Sequence, residues 1–405
     1  MATSSRANNS RVFGLDLLRA CAVLSVVIGH TLDHGAPANW IVRYVAPQAV
    51  TGVELFYVLS GFLIGHILIR SVQAGKLHSK HDIIDFWKRR WARTLPAYVF
   101  FLLLYLRFDY HGPADLTKVW PFFLFLQNLA WPTLPFFTHS WSLAVEEWFY
   151  LLLPLTFLGF VKLFKTSGKS ILATALVFIF IPLVARVVFS VEAEEWAGFD
   201  SFVRSIVICR LDSLFIGVLL AYVRINHPET FNRIANFWPV GLLALVGLVT
   251  YLSIGVPYLE KSRLIRIAFF PLFSVSIAFV IPALIRLEST GLKLLDVAIT
   301  HTSKVSYSLY LGHISMLTLL LAIMDKLGWS AKDGWSTLLM YFSLAIFYFA
   351  FATLTYEFVE QPYIRLRDRL LGHSDERSGN FAVNSTSNTP RDRKNPDARI
   401  KPETV

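Results

Sequence analysis

The chain has little of what a soluble enzyme of its length carries. Only 16% of its 405 residues are charged, against 55% hydrophobic and 15% aromatic. That composition cannot form a water-facing shell around one apolar core. Cysteine is nearly absent: Cys21 and Cys209 both lie inside apolar runs, so neither a disulfide framework nor a Cys-based metal site is indicated. No metal site of another kind is expected either. The formal charge of +10 comes from basic residues dispersed between apolar runs without any DNA- or RNA-binding motif, so nucleic acid is not an expected partner. No convincing self-similarity relates the two halves, which counts against repeat-built transporters.

Long apolar runs are abundant, and the mean hydropathy is +0.51. Stretches long enough to cross a bilayer occur at about 14–32, 50–70, 94–109, 141–161, 171–190, 204–223, 237–254, 266–286, 305–323 and 336–358. The expected fold is therefore an all-α polytopic membrane protein of about ten transmembrane helices. Ten spans put both termini on one side. If that side is cytoplasmic, the greater part of the 38 Lys and Arg lies inside, as the positive-inside rule requires. Trp40, Trp87, Trp91, Trp196, Trp238 and Trp335 fall near segment ends as an aromatic belt. The shorter run from Trp120 to Ala130 reads as re-entrant or interfacial. The expected organisation is a cytoplasmic segment 1–13, a membrane core 14–358 and a cytoplasmic tail 359–405. From about 373 that tail is Ser-, Asn-, Asp-, Arg- and Pro-rich and expected to be disordered. The sequon at Asn384 would face the wrong side for glycosylation. A rival reading of the start as a cleaved signal peptide ending near Ala36-Pro37-Ala38 is disfavoured, because Asp16 and Arg19 interrupt its apolar region.

Polar residues inside these runs need a reason to be there. Arg19 and His30 are eleven positions apart, which on a helix returns to within about 20° and separates them by roughly 16 Å along one face. Arg90 and Arg93, one turn apart where the third run begins, could both reach a multiply charged phosphate ligand, although positive-inside anchoring also explains basic residues there. Gly52, Phe56 and Ser60 recur every four residues. Small residues at that interval usually let helices approach, and Ser60, with no nucleophile elbow around it, is not expected to be a nucleophile. Ser142, Glu146 and Tyr150 share a helix face. Counted from the span ends, Glu146 and His30 lie at similar depth, roughly 6–8 Å below the outer boundary, which suits a His base with a carboxylate orienter; an interfacial Glu beside a core His is the structural alternative. Arg210 and Asp212, two apart, cannot face each other and must find partners on other helices. His313, beyond Tyr307 and Tyr310, reads as a packing histidine.

Taken in order, these clusters resemble the acyltransferase 3 family of integral-membrane O-acyltransferases. The likeness rests on Arg-x10-His at Arg19 and His30, Phe-Tyr-x-x-Ser-Gly-Phe at Phe56 to Phe62, Arg-x-x-Arg-x-x-Pro at Arg90 to Pro96 and Trp-Ser-Leu-x-x-Glu-x-x-Phe-Tyr at Trp141 to Tyr150. It continues with Arg-x-Asp at Arg210 to Asp212, Tyr-Ser-Leu-Tyr-Leu before His313 and Glu-Gln-Pro at Glu360 to Pro362. The resemblance implies transfer of an acyl group, most often acetyl, from cytoplasmic acyl-CoA to a hydroxyl of an envelope or exported glycan, a lipid-linked sugar or a secreted small molecule. It also implies a bacterial inner membrane. Some members add a C-terminal esterase-like domain, which is not expected here. A thioester is already activated, so acyl-CoA serves as co-substrate and no permanently bound cofactor is needed. The expected roles are His30 as base, Glu146 as its orienter, Ser142 or Tyr150 as oxyanion donor, and Arg19, Arg90 and Arg93 as acyl-CoA contacts. Ser60, Arg210, Asp212 and His313 are expected to form a supporting polar network. A transporter or flippase without acyl transfer is the alternative.

Overall fold

In hydrocarbon every backbone N–H and C=O must be satisfied within the protein, which for apolar runs of this length means helix. The computed structural model describes residues 11–35, 45, 47–77, 79–108, 116–193, 195–254, 262–328 and 334–371. Its main elements are α1 (Phe13–Gly35), α2 (Gln48–Gln73), α3 (Lys80–Phe108), α4 (Leu116–Phe123), α5 (Trp141–Phe164), α6 (Ser167–Phe189), α7 (Leu211–Asn226), α8 (Trp238–Ile254), α9 (Arg263–Leu284), α10 (Lys293–Lys326), α11 (Gly334–Thr355) and α12 (Gln361–Leu370). No strand occurs among the described residues. The expected disordered tail, the sequon and Trp40 lie outside them.

Among the described residues, eight helical segments are long and apolar enough to cross a membrane: Phe13–Asp33, Gln48–Gln73, Thr138–Phe164, Ser167–Phe189, Pro228–Ile254, Arg263–Leu284, Lys293–Lys326 and Trp335–Leu370. The other two expected spans are also helices, but with different limits. α3 begins at Lys80, so Arg90 and Arg93 sit within a continuous helix rather than at its mouth. α7 begins only at Leu211 and has 16 residues. The preceding stretch, expected to be helical from 204, is a π turn at Asp200–Arg204 followed by a 3-10 turn at Val207–Cys209.

Irregular backbone can exist at that depth because another irregular segment satisfies it. The Val207 and Ile208 amides donate to the Asn128 and Leu129 carbonyls at 3.0 and 3.3 Å. The buried Asn128 amide donates in turn to the Trp141 and Ser205 carbonyls at 3.0 and 2.5 Å. The run after α4 thus packs into the protein and ties the start of α5 to that of α7.

α2 is the central helix, packed against α1, α5, α7 and α9. Its glycines permit this. A Cβ on Gly61 would lie 1.8 Å from the Leu214 carbonyl oxygen, and one on Gly217 would lie 2.2 Å from that of Val58. The α2 and α7 backbones therefore touch at both levels. α8 instead turns Val240, Leu243 and Val246 outward, as expected of a lipid-facing helix. Trp238 and Trp335 are exposed, whereas Trp87 is half-buried and donates from Nε1 to the Tyr150 carbonyl at 3.1 Å. Pro154, four residues on, has no N–H for that carbonyl. Trp87 therefore fills a hydrogen-bonding gap inside the bundle as well as lying near a span end.

Candidate active site

α1, α2, α3, α5 and α10 enclose an open cavity of about 770 Å³, including the part continuous with solvent. Its lining includes Arg19, Arg90, Arg93, Tyr57, Ser60, Ser142, Glu146, Ser306, Tyr307 and Tyr310. The structure thus brings together both arginines of α3 with Arg19 and the polar face of α5. Arg19 is steadied by Asp16 at 3.6 Å and by the Ser303 hydroxyl at 3.3 Å, while Ser303 itself donates to Asp16 at 2.5 Å. Asp16 was noted in the sequence only as an interruption of the apolar run, and Ser303 did not stand out; a carboxylate one turn before a buried arginine was the available signal for the Asp16 contact.

Glu146 is held by its own side of the cavity. Ser60 donates to one carboxylate oxygen at 3.2 Å and Tyr150 to the other at 2.9 Å, with Arg90 at 3.7 Å. Arg90 donates to the Tyr150 hydroxyl at 2.5 Å and lies over its ring, 4.1 Å from the centroid. The Arg90 Nε remains a buried donor with no hydrogen-bond partner. Glu146 was expected to orient His30; its two oxygens are instead taken by Ser60 and Tyr150, and a different residue meets the His30 ring. Glu146 lines the cavity together with Arg19 and Arg90, at the arginine end of the α1 face, so the depth counted from the span ends did not bring it beside His30.

His30 Nδ1 lies 2.8 Å from His313 Nε2, with the ring planes 7° apart. The Tyr310 backbone carbonyl is 2.6 Å from the other His313 nitrogen, Nδ1. His139, which the sequence gave no reason to single out, packs its ring edge-on to His313 at 5.3 Å. The Tyr310 hydroxyl donates to the His139 carbonyl at 2.9 Å and also contacts the Ser142 hydroxyl closely. A tyrosine has one hydroxyl proton, so Ser142 is the donor in that second contact. The hydroxyl protons of both expected oxyanion donors are therefore engaged, that of Ser142 on Tyr310 and that of Tyr150 on Glu146. Among the described residues no group of three or more His, Cys, Asp or Glu is placed to hold a metal ion.

The family profile described as an acyltransferase domain, acyltransferase 3, matches residues 12–357. The chain belongs to the acyltransferase 3 family. Among similar proteins are the O-acetyltransferase OatA of Staphylococcus aureus strain NCTC 8325, 24% identical over 392 residues (91% of this chain, 60% of the relative), and that of strain MRSA252, 26% identical over 327 residues (75% and 50%). A putative O-acetyltransferase of S. aureus strain COL is 23% identical over 387 residues (86% and 57%). The chain thus spans between half and about three-fifths of the length of these relatives. No solved structure matches.

In this acyltransferase 3 chain the Arg-x-Asp stretch serves two ion pairs. Arg186 of α6 grips Asp212 bidentately at 3.0 and 2.6 Å and donates to the Cys209 carbonyl at 2.6 Å. Arg210 pairs with Glu54 of α2, reaches Ser213 at 3.2 Å and lies over the Phe270 ring at 3.5 Å. The expectation of partners on other helices is thereby met, by residues the sequence did not single out as partners. Glu360 of the Glu-Gln-Pro stretch accepts from Ser308 of α10 and is likewise buried. Ser60 and His313, expected in the same supporting network, are drawn away from these pairs: Ser60 to Glu146 and His313 to His30.

Proposed function

We propose that the chain transfers an acyl group, acetyl in the first instance, from cytoplasmic acyl-CoA to a hydroxyl of an exported acceptor across a bacterial cytoplasmic membrane. The observation that carries this reading is the convergence of three arginines, Arg19, Arg90 and Arg93, on one cavity at the foot of the α1 face that carries His30. Guanidinium forks suit the phosphates of CoA, and an unfilled Arg90 Nε donor supports an anionic ligand there. From Arg19 to His30 is roughly 16 Å along the helix axis, a span suited to an extended thioester arm. Glycan, lipid-linked sugar and secreted small molecule are the acceptor classes in view.

The chemistry asked of the residues is modest. His30 takes the proton from the acceptor hydroxyl as its oxygen attacks the thioester carbonyl. The new ester C–O bond forms, the C–S bond breaks, and the proton passes on to the departing CoA sulfur. Ser142 or Tyr150 would donate to the oxyanion by exchanging its present partner. An acyl group trapped on His30 with donor alone would replace direct transfer by a covalent relay.

The test is release of free CoA thiol from acetyl-CoA offered to inside-out vesicles, wild type against His30→Ala at equal protein level with a crude envelope-glycan acceptor. Release that depends on His30 is expected. Silence from both proteins across several acyl-CoAs would send the reading toward solute transport.

A further inference from the structure

We infer that His313 is the positioning residue of the reaction, fixing His30 in the tautomer whose Nε2 is the base; this rests on the acyl-transfer reading above. A carbonyl oxygen can only accept, so the 2.6 Å contact from His313 Nδ1 to the Tyr310 carbonyl places the His313 proton on Nδ1. With that ring neutral, its Nε2 is a lone pair. The atom facing it at 2.8 Å, His30 Nδ1, is then the donor. One proton on Nδ1 leaves the lone pair of neutral His30 on Nε2.

The ring geometry agrees with a hydrogen bond. The 5.1 Å centroid separation is the 2.8 Å nitrogen contact plus about one ring radius at each end. The nitrogens therefore lie near the line between ring centres, and the near-parallel rings meet edge to edge, not face to face. When His30 Nε2 takes the acceptor proton, the bond from Nδ1 to His313 becomes charge-assisted and strengthens. His313 thereby favours the protonated intermediate, which is the role expected of Glu146.

His313 is itself held in place. It is 1% exposed, with His139 edge-on against its ring. A Cβ on the preceding Gly312 would fall 2.7 Å from Phe101 Cε1, so α10 is pressed against α3 at this level.

The test compares wild type, His313→Leu and His313→Gln in the vesicle assay, with folded protein matched by size-exclusion profile. His313→Leu should lower kcat on the order of 10²-fold while KM for acetyl-CoA stays within about twofold, because the arginine cavity is untouched. His313→Gln, whose side-chain carbonyl can accept from His30 Nδ1, should recover about tenfold of that loss. A Leu variant within about threefold of wild type in kcat, or a Gln variant no better than Leu, would overturn the inference. A second readout needs no turnover: carbethoxylation of His30 by diethyl pyrocarbonate, followed by peptide mass spectrometry. It should slow at least about fivefold in His313→Leu, and an unchanged rate would count against the fixed tautomer. Wild-type silence in thiol release would defeat acyl transfer, while the labelling rates would still decide the tautomer.

Discussion

The Glu54 and Arg210 pair sets a quantitative test of how this bundle is held. Both side chains are 0% exposed; Glu54 is on α2 and Arg210 immediately precedes α7, the helices whose backbones touch at Gly61 and Gly217. Removing one partner of such a pair costs about 3–5 kcal/mol, because the other charge is left buried. The two single losses should be unequal. A carboxylate stripped of its partner can escape by binding a proton, but a guanidinium cannot lose one. In Glu54→Leu the Arg210 cation keeps Ser213 and the Phe270 ring, neither of which neutralises it. We therefore expect Glu54→Leu to destabilise by about 3–5 kcal/mol, a factor of 10² or more in the folded ratio, and Arg210→Met by less. The double variant should lie close to wild type, since an apolar pair of similar volume often replaces a buried ion pair without loss. The assay is thermal unfolding in one detergent followed by tryptophan fluorescence, with all four proteins in parallel. A double variant as damaged as Glu54→Leu would refute the coupling, and an Arg210→Met loss larger than that of Glu54→Leu would refute the asymmetry.

Two more outcomes follow from the cavity and the helix contact. Arg93→Ala should raise KM for acetyl-CoA by about 10- to 100-fold, the loss of a charge-assisted contact worth about 1.5–3 kcal/mol, with little change in kcat; initial rates across donor concentration check it, and an unchanged KM would remove Arg93 from the donor site. Gly61→Leu must push α2 from the Leu214 carbonyl and should lower the unfolding midpoint and the yield of folded protein, whereas Gly159→Ala, where a Cβ meets nothing within 4 Å, should match or slightly exceed wild type.

Much of the fold was legible because a bilayer imposes one local rule on every apolar run. The same rule misled at 204–210. That stretch reads as the start of a span, but its Val207 and Ile208 amides are satisfied by the carbonyls of Asn128 and Leu129, a pairing invisible to any window along the chain. At the candidate site, the sequence supplied the phase of each residue on its own helix. Arg19 with His30, and Ser142 with Glu146 and Tyr150, needed only the helical repeat. What it could not supply was which helix stands opposite. His313 is 283 positions from His30, and Glu54 is 156 from Arg210. Counting from the span ends recommended Glu146 as orienter, but it sits in the arginine cavity, held by Ser60 and Tyr150.

The distribution of charge bears on the choice between acyl transfer and transport. Away from the cavity, three arginines have individual carboxylate partners: Asp212 for Arg186, Glu54 for Arg210, Asp200 for Arg204. The cavity lining itself carries three guanidiniums and one carboxylate, Glu146, with Asp16, 3.6 Å from Arg19, as a second carboxylate outside that lining. Concentrating cations in a site of reduced dielectric is costly unless a ligand brings the missing negative charge. Beyond the arginines, the groups linking toward His30 are uncharged hydroxyls and imidazoles of Ser142, Tyr310 and His313. A ligand with a polyanionic head and a neutral reactive end matches that order. A path for a hydrophilic solute would instead need polar continuity from one face to the other, with no reason to gather the cations at one end or to place a tautomer-directing contact on the imidazole above them.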